Sequence, residues 1–408
     1  MNRWRYYWRV LRTQIWFRAG LYAAFGVAAA LIAALAAPLV PKEVADRLGG
    51  ESVEAILTIL ASSLLAVATF SLGAWVSAYT AVSQAASPRV ATLVTSDEST
   101  QKALATFVGA FLYAVVAVTA IHARYYGAEG RAVLYLTSLA VVSLVAFRLL
   151  AWINRLSNLA RLGHMIELVE ERTAEWLKTH PPAPAGPPVP GEEFNAPATG
   201  YVQNIDLPSL QRLAGDKGGH VEILAPVGSF RRRGEALGRV SFAASDEQTR
   251  ESLRSAFSIA RSRTFDQDPR FGLIVLGEIA ARALSPGVND PGTAAEVAGV
   301  AVRLLDNWGR RAPEEADVNR ENDRVIRPVL DPEDLVQDVF GPLVRYGMGD
   351  LTVAVRVQKG LRSLAACDSA VSGAARRLAV ETAQRARESL HKADRARFDA
   401  EFGKRARR

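Results

Sequence analysis

The residues with chemistry to offer gather in three short stretches. The first is RSRTFDQDPRF, residues 261–271, which sets Arg261 and Arg263 beside Asp266 and Asp268. An Asp-x-Asp pair can ligate a hard cation. The alternative is a loop ion pair, with Asp268 capping a helix that opens on Pro269. The second is SPGVNDPGTA, residues 285–294. Glycine and threonine in the first turn of a helix leave backbone N–H groups for an anion. Ser285, Gly287, Asn289, Asp290 and Thr293 are therefore candidate ligand-loop residues. Asp290 at the cap would repel an anion and take those donors itself, which favours a structural turn. The third is Arg231, Arg232 and Arg233 at the tip of an expected hairpin, either a solvated turn or a contact for anionic headgroups.

Enzyme chemistry finds little support. The five histidines (His122, His164, His180, His220, His391) are scattered without metal-ligand spacing. No nucleophile elbow, phosphate loop or dinucleotide fingerprint is present. The lone Cys367 cannot form an intramolecular disulfide. No catalytic residue, metal or cofactor is expected.

The elements that must position these stretches divide sharply. Residues 1–153 hold four long apolar runs, while the rest reads like a water-soluble chain. Spans are expected at about 19–40, 53–85, 103–122 and 132–153, each long enough for a hydrocarbon core of ~30 Å. The first run, preceded by basic residues, also fits a signal peptide; the three spans that follow favour an uncleaved helix. The formal net charge is +7, and residues 1–18 carry Arg3, Arg5, Arg9, Arg12 and Arg18 with no acid. Basic, aromatic residues beside a span suit an interfacial helix on anionic lipid of the cytosolic leaflet. They fit that partner better than nucleic acid. The Lys/Arg excess puts both termini in the cytosol of a bacterial cell, with the chain in its inner membrane.

Beyond the spans, residues 154–197 read as an amphipathic helix to about 178, then a proline-rich linker. Residues 198–242 shift to short β-prone runs separated by glycines, a small β subdomain. Within it GSFRRRGEALGRV imitates the hairpin corner of biotinyl and lipoyl carrier domains, without the carrier lysine. Residues 243–408 read as helical: one helix over 246–263, Asp-Pro starts at Asp268 and Asp290, further helices at 332–347, 360–380 and 376–401, the last basic. The fold class is an α-helical polytopic membrane protein of four transmembrane helices with a cytosolic α+β C-terminal region.

The second span is the most informative. At about 100° per residue, Thr58, Ser62, Thr69, Gly73, Ser77, Thr80 and Gln84 share one arc about 100° wide. No Asp, Glu or Lys lies inside a span core, which argues against a proton pump. Small and hydroxyl residues on one face serve helix packing. They also serve as the wall of a water-lined path, which in a four-span subunit requires a homo-oligomer. Arg89 and the basic inner ends would bias such a mouth toward anions. A third class is a membrane-anchored sensor or scaffold whose cytosolic region binds a ligand or partner.

A hydroxyl-rich second span ending in SPR, then GYVQNID, RFGL and ALSPGVNDPGTA, occur in that order. In these the chain resembles the bacterial predicted-membrane-protein family called domain of unknown function 2254. The resemblance implies a four-span inner-membrane protein with a cytosolic C-terminal region, and brings no activity or functional residues.

Overall fold

The computed structural model describes residues 15–35, 41, 43, 45, 52–95, 98–159, 161–184, 188–311 and 322–403. Arg3, Arg5 and Arg9, with most of the expected interfacial helix, lie outside the described residues. Two compact units emerge, one within residues 15–84 and 91–159, the other within residues 162–403 together with 85–90.

The apolar unit contains α1 (Ile15–Leu35), α2 (Ser52–Ala85), α4 (Glu98–His122) and α5 (Ala128–Leu159); a short α3 (Pro88–Thr95) follows α2. Among the described residues, three helices are long and apolar enough to cross a membrane: α2 over Ser52–Gln84, α4 over Ser99–His122 and α5 over Ala128–Asn154. The apolar part of α1, Ala19–Ala33, is shorter. The first expected span, 19–40, extends beyond the described residues, which hold its apolar part as a helix. The centre of the unit is α4. Its most apolar stretch is 56 % buried, against 22 % in α2 and 17 % in α5.

Along α4 lies α1. The two backbones meet at glycines: a Cβ on Gly26 would sit 2.5 Å from the Gly109 carbonyl oxygen. Small residues allow such approach where lipid supplies no hydrophobic force between helices. Polar groups fasten the rest. Tyr126 donates its hydroxyl to the Ala30 carbonyl at 2.5 Å. The Tyr113 hydroxyl lies 2.7 Å from Thr137 Oγ1 and 3.2 Å from Ser138 Oγ, linking α4 to α5.

The second unit begins with α6 (Leu162–Lys178). The expected single helix over 154–178 is thus divided, because α5 runs on to Leu159 and α6 starts afresh. Strands β1 (Glu192–Asn195), β5 (Ala236–Val240), β3 (Val221–Ile223) and β7 (Val325–Ile326) form one sheet in that order. The β1–β5 and β5–β3 pairs are antiparallel, and β3–β7 is parallel. A second antiparallel sheet has the order β4 (Phe230–Arg231), β2 (Gly200–Ile205), β6 (Phe257–Ala260). Their shared core holds Val202, Ile205, Val221, Ile223, Leu237 and Phe257. Helices α7 (Leu207–Asp216) and α8 (Glu247–Ser255) flank the strands.

Three sequence expectations change here. Residues 246–263 do not form one helix: α8 ends at Ser255 and the β-prone FSIA run pairs with β2 as strand β6. Among the described strands, β1 comes from a segment read as linker, and β7, like β6, from the region read as helical. The carrier-like hairpin is a corner, since β4 and β5 belong to different sheets. Gly234, at φ +88°, makes the turn between them, a conformation that costs glycine little.

The remainder is helical: α9 (Phe271–Ala283), α10 (Pro291–Gly309), α11 (Pro332–Gly347), α12 (Leu351–Ala366), α13 (Ser372–Ser389) and α14 (Lys392–Gly403). The expected helices at 360–380 and 376–401 are redrawn by breaks at 367–371 and 390–391. Buried almost all round, α9 packs on α10 and α11. Aspartates start five of the unit's helices: Asp206, Asp246, Asp290, Asp331 and Asp350 each accept a backbone N–H of the first turn. Asp268 also accepts at a helix start, from the N–H groups of Arg270 and Phe271, although α9 opens at Phe271 rather than at Pro269.

Candidate functional site

The hydroxyl face of α2 is solvent- or lipid-facing in the single chain. Thr58, Ser62, Thr69, Gly73, Ser77, Thr80 and Gln84 are all exposed, and Ile59, Ala66 and Val76 share their arc. The helix buries the opposite face, through Leu57, Leu60, Leu64, Ser71, Ala78 and Val82. Exposed hydroxyls in such a segment are costly only if their protons lack acceptors. Here Ser62, Thr69, Ser77 and Thr80 each donate to the carbonyl four residues back. Ser62 bonds Thr58 O at 2.9 Å, Thr69 bonds Leu65 O at 2.9 Å, Ser77 bonds Gly73 O at 3.0 Å and Thr80 bonds Val76 O at 2.9 Å. The helix thereby satisfies these four hydroxyls, and each of the four oxygens keeps acceptor capacity for an outside partner. Arg89, expected to bias a mouth toward anions, pairs with Glu278 of α9.

In the second unit the loop 285–293 is a tight turn. Asn289 adopts φ +50°, and its N–H bonds Ser285 O. The Asp290 N–H reaches Ala283 O at 2.8 Å. Asp290 then caps α10, accepting from Thr293 N at 3.0 Å and from the Thr293 hydroxyl at 2.6 Å. That hydroxyl, and next the backbone N–H, hold the Asp290 carboxyl below its ordinary range. Ser285 gives its own proton to Arg282 O, and a Cβ on Gly287 would meet open space. The donors an anion would need at the helix start are thus occupied. We expect Asp290→Ala to lower unfolding stability by about 1 kcal/mol, measured by thermal melting of the detergent-purified chain. The depressed carboxyl makes this contribution full above the ordinary aspartate range and lost as pH falls through the folded value.

Asp268 and Arg263 form a buried bidentate pair at 2.8 and 2.9 Å. Asp266 is exposed. The two carboxylates therefore do not converge, and among the described residues no group of His, Cys, Asp or Glu is arranged to hold a metal. The three arginines of the β4–β5 corner diverge. Arg231 donates to the carbonyls of Ala236, Phe230 and Leu224. Arg232 pairs with Glu235 at 2.7 Å. Arg233 is exposed.

Spacing gave no warning of a cavity of about 370 Å³ where α6, β2, β3 and the segments 267–270 and 327–334 meet. Its walls are largely apolar, with Ile205, Leu207, Ile223 and Val227 among them. Thr179, His180 and Arg327 also line it. Trp308 Nε1 donates to the His180 carbonyl at 2.6 Å and Arg327 to that of Thr179 at 3.4 Å. Burial, then the Arg327 charge, push the His180 imidazole down to about 4. Arg270, likewise on the wall, grips Asp338 bidentately at 2.7 and 3.0 Å and also meets Asp334. The Asp338 bond holds Arg270 above its ordinary range. Burial pushes the Asp338 carboxyl up, and Arg270 opposes it. Asp334 and Asp338, one turn apart in DPEDLVQD, were the visible half of this cluster.

Apolar helices of membrane-crossing length joined to an α+β unit define a helical membrane protein. The chain belongs to the family described as Predicted membrane protein (DUF2254), whose model matches residues 12–363. Uncharacterized proteins of Mycobacterium bovis and of Mycobacterium tuberculosis strain H37Rv are each 34 % identical to it over 147 residues. That match covers 34 % of this chain and 27 % of each relative. No solved structure matches the chain.

Proposed function

We propose that the protein is a homo-oligomeric, channel-like pore in the bacterial inner membrane, with the hydroxyl face of α2 turned toward a shared path. One observation carries this reading: the whole face stays exposed in the single chain, opposite the face α2 buries. A segment meant only for lipid would not collect seven small or polar residues on one side. A wall of hydroxyls without fixed charge hydrates ions and holds them weakly, which favours passive permeation. Pairing of Arg89 with Glu278 removes one ground for anion preference, so the permeant ion is left to the flux assay. The docking of α1 along α4 supports counting it as a fourth span, and the Lys/Arg distribution supports cytosolic termini.

The test is ion flux in liposomes. Thr69→Leu, near mid-span, should slow potassium or chloride flux by about tenfold by narrowing and drying the path. Phe147→Leu, on an exposed face of α5, is the lipid-facing control and should match wild type. Ser71→Leu, which helical angle alone marks as neutral, is not a control: Ser71 is fully buried and a larger side chain there would strain the protomer. With Cys367 replaced by serine, Ser77→Cys should form disulfides between copies. Unchanged flux in Thr69→Leu together with no cross-linking at position 77 would remove the pore reading.

Topology has its own check. In the same cysteine-free background, a membrane-impermeant maleimide should label Tyr125→Cys in whole cells. It should label Ser389→Cys only after permeabilisation. Labelling of position 389 in intact cells would reverse the orientation.

A further inference from the structure

We infer that the cavity at the end of α6 is a small-molecule site, and that its occupant is a compact apolar molecule without net charge. The cavity lies within the second unit and does not depend on the pore reading.

Size and walls come first. A volume of about 370 Å³ falls within the ~300–1,000 Å³ of small-molecule sites, which are mostly apolar and largely pre-formed. The lining is apolar: Ile205 and Ile223 belong to the β core, and Leu207 and Val227 pack against it. The lining is also braced. Pro226, Pro269 and Pro328 stand on it, and a proline ring fixes its own φ. Side chains tie separate stretches of the wall together. Gln267 Oε1 accepts the Ile205 N–H at 3.0 Å, and Arg270 bonds Asp334 and Asp338 of α11. Walls held in this way need little ordering on binding, which spares a ligand that cost.

Charge decides the class. The wall carries two arginines, Arg270 and Arg327, and two aspartates, Asp331 and Asp334, so its formal charges cancel. Each of the four is already engaged within the protein. Arg270 holds Asp334 and Asp338. Asp331 accepts the Glu333 N–H at 2.9 Å, where α11 starts. Arg327 donates to the Thr179 carbonyl at 3.4 Å, among other interactions. His180 is turned back on the end of α6, its Nδ1 2.9 Å from Thr179 Oγ1 and 3.0 Å from the Trp176 carbonyl oxygen. An ionised ligand would give up its water here and find no counter-charge that is not already paired, and burial of a charge on those terms is costly. An uncharged apolar body leaves every ion pair in place and covers the Ile, Leu and Val surface.

Calorimetry on the full-length chain in detergent tests this with phenylbutanol and phenylbutyrate, two water-soluble probes of nearly equal shape that differ in charge. We expect phenylbutanol to bind saturably, one molecule per chain, whereas uptake into micelles does not saturate. Phenylbutyrate at neutral pH should bind about tenfold more weakly or worse. Val227→Trp and Val329→Trp each place a larger side chain at a wall position that is not fully buried. Each should weaken phenylbutanol about tenfold by filling the cavity, while the melting temperature stays at the wild-type value. Phenylbutyrate binding as tightly as the alcohol, or more tightly, would overturn the uncharged assignment. Absence of saturable phenylbutanol binding to wild type, or wild-type affinity in both folded tryptophan variants, would overturn the site.

Discussion

Asp268→Ala is expected to destabilise the C-terminal unit by about 3–5 kcal/mol, the usual loss when one partner of a buried pair is removed. Asp268 is 2 % exposed. Besides holding Arg263 in a bidentate pair, its Oδ1 accepts the N–H groups of Arg270 and Phe271 at 3.1 and 3.0 Å, where α9 begins. Removal would leave the Arg263 guanidinium without its carboxylate beside Phe271, whose ring centroid is 5.3 Å away, and two backbone donors without an acceptor. Burial raises the Asp268 carboxyl, and the Arg263 hydrogen bonds only partly offset this. The sign follows: a folded-state value above the unfolded one means that stability falls as pH rises through that window, then levels off. The pair therefore does not add stability toward neutral pH, yet its breakage is costly there. Denaturant melting of the purified chain at neutral pH measures the loss. Asp266→Ala, on the exposed neighbour, should stay within about 0.5 kcal/mol of wild type. Comparable losses at both positions, together with stabilisation by added calcium, would restore the cation-site reading of the Asp-x-Asp pair.

What the sequence revealed follows from how local each signal is. Apolar runs and Asp-Pro starts depend on neighbours a few residues away, so α2, α4, α5 and the start of α10 at Asp290 were readable directly. Strand β6 was not: Phe257–Ala260 follows an amphipathic helix with no glycine or proline between them, and only pairing with β2, more than fifty residues earlier, makes it a strand. The corner at Gly234 likewise looks like a hairpin until the two sheets are known. Helical angle correctly set Thr69 and Ser71 on opposite faces of α2, but could not say that one is exposed and the other buried. The cavity was least visible of all. His180, Arg270 and Arg327 are separated by tens of residues and follow no common spacing, and what joins them is the packing of α6 beside two small sheets. His180 was on view only as one of five scattered histidines.

The second large effect belongs to the apolar unit. Gly26→Leu should prevent α1 from docking on α4. A Cβ at Gly26 would lie 2.5 Å from the Gly109 carbonyl oxygen and 3.3 Å from its carbon. The obstacle is backbone of a buried helix, which cannot swing aside as a flexible side chain can. The close approach is mutual, since a Cβ on Gly109 would meet Tyr22 O at 2.8 Å. Overpacking of a closed interface costs typically ~1–3 kcal/mol, and backbone against backbone places this change at or beyond the upper end. Separation of the helices would also pull Ala30 from the Tyr126 hydroxyl, which closes the other end of the contact. Gly20→Leu supplies the control on the same helix, because a Cβ there meets nothing within 4 Å. Gly26→Leu should lower the melting temperature and the yield of folded chain in detergent, and Gly20→Leu should change neither. Equal behaviour of the two variants would mean that α1 does not pack on α4 through Gly26, and the support this contact gives to a fourth span would go with it.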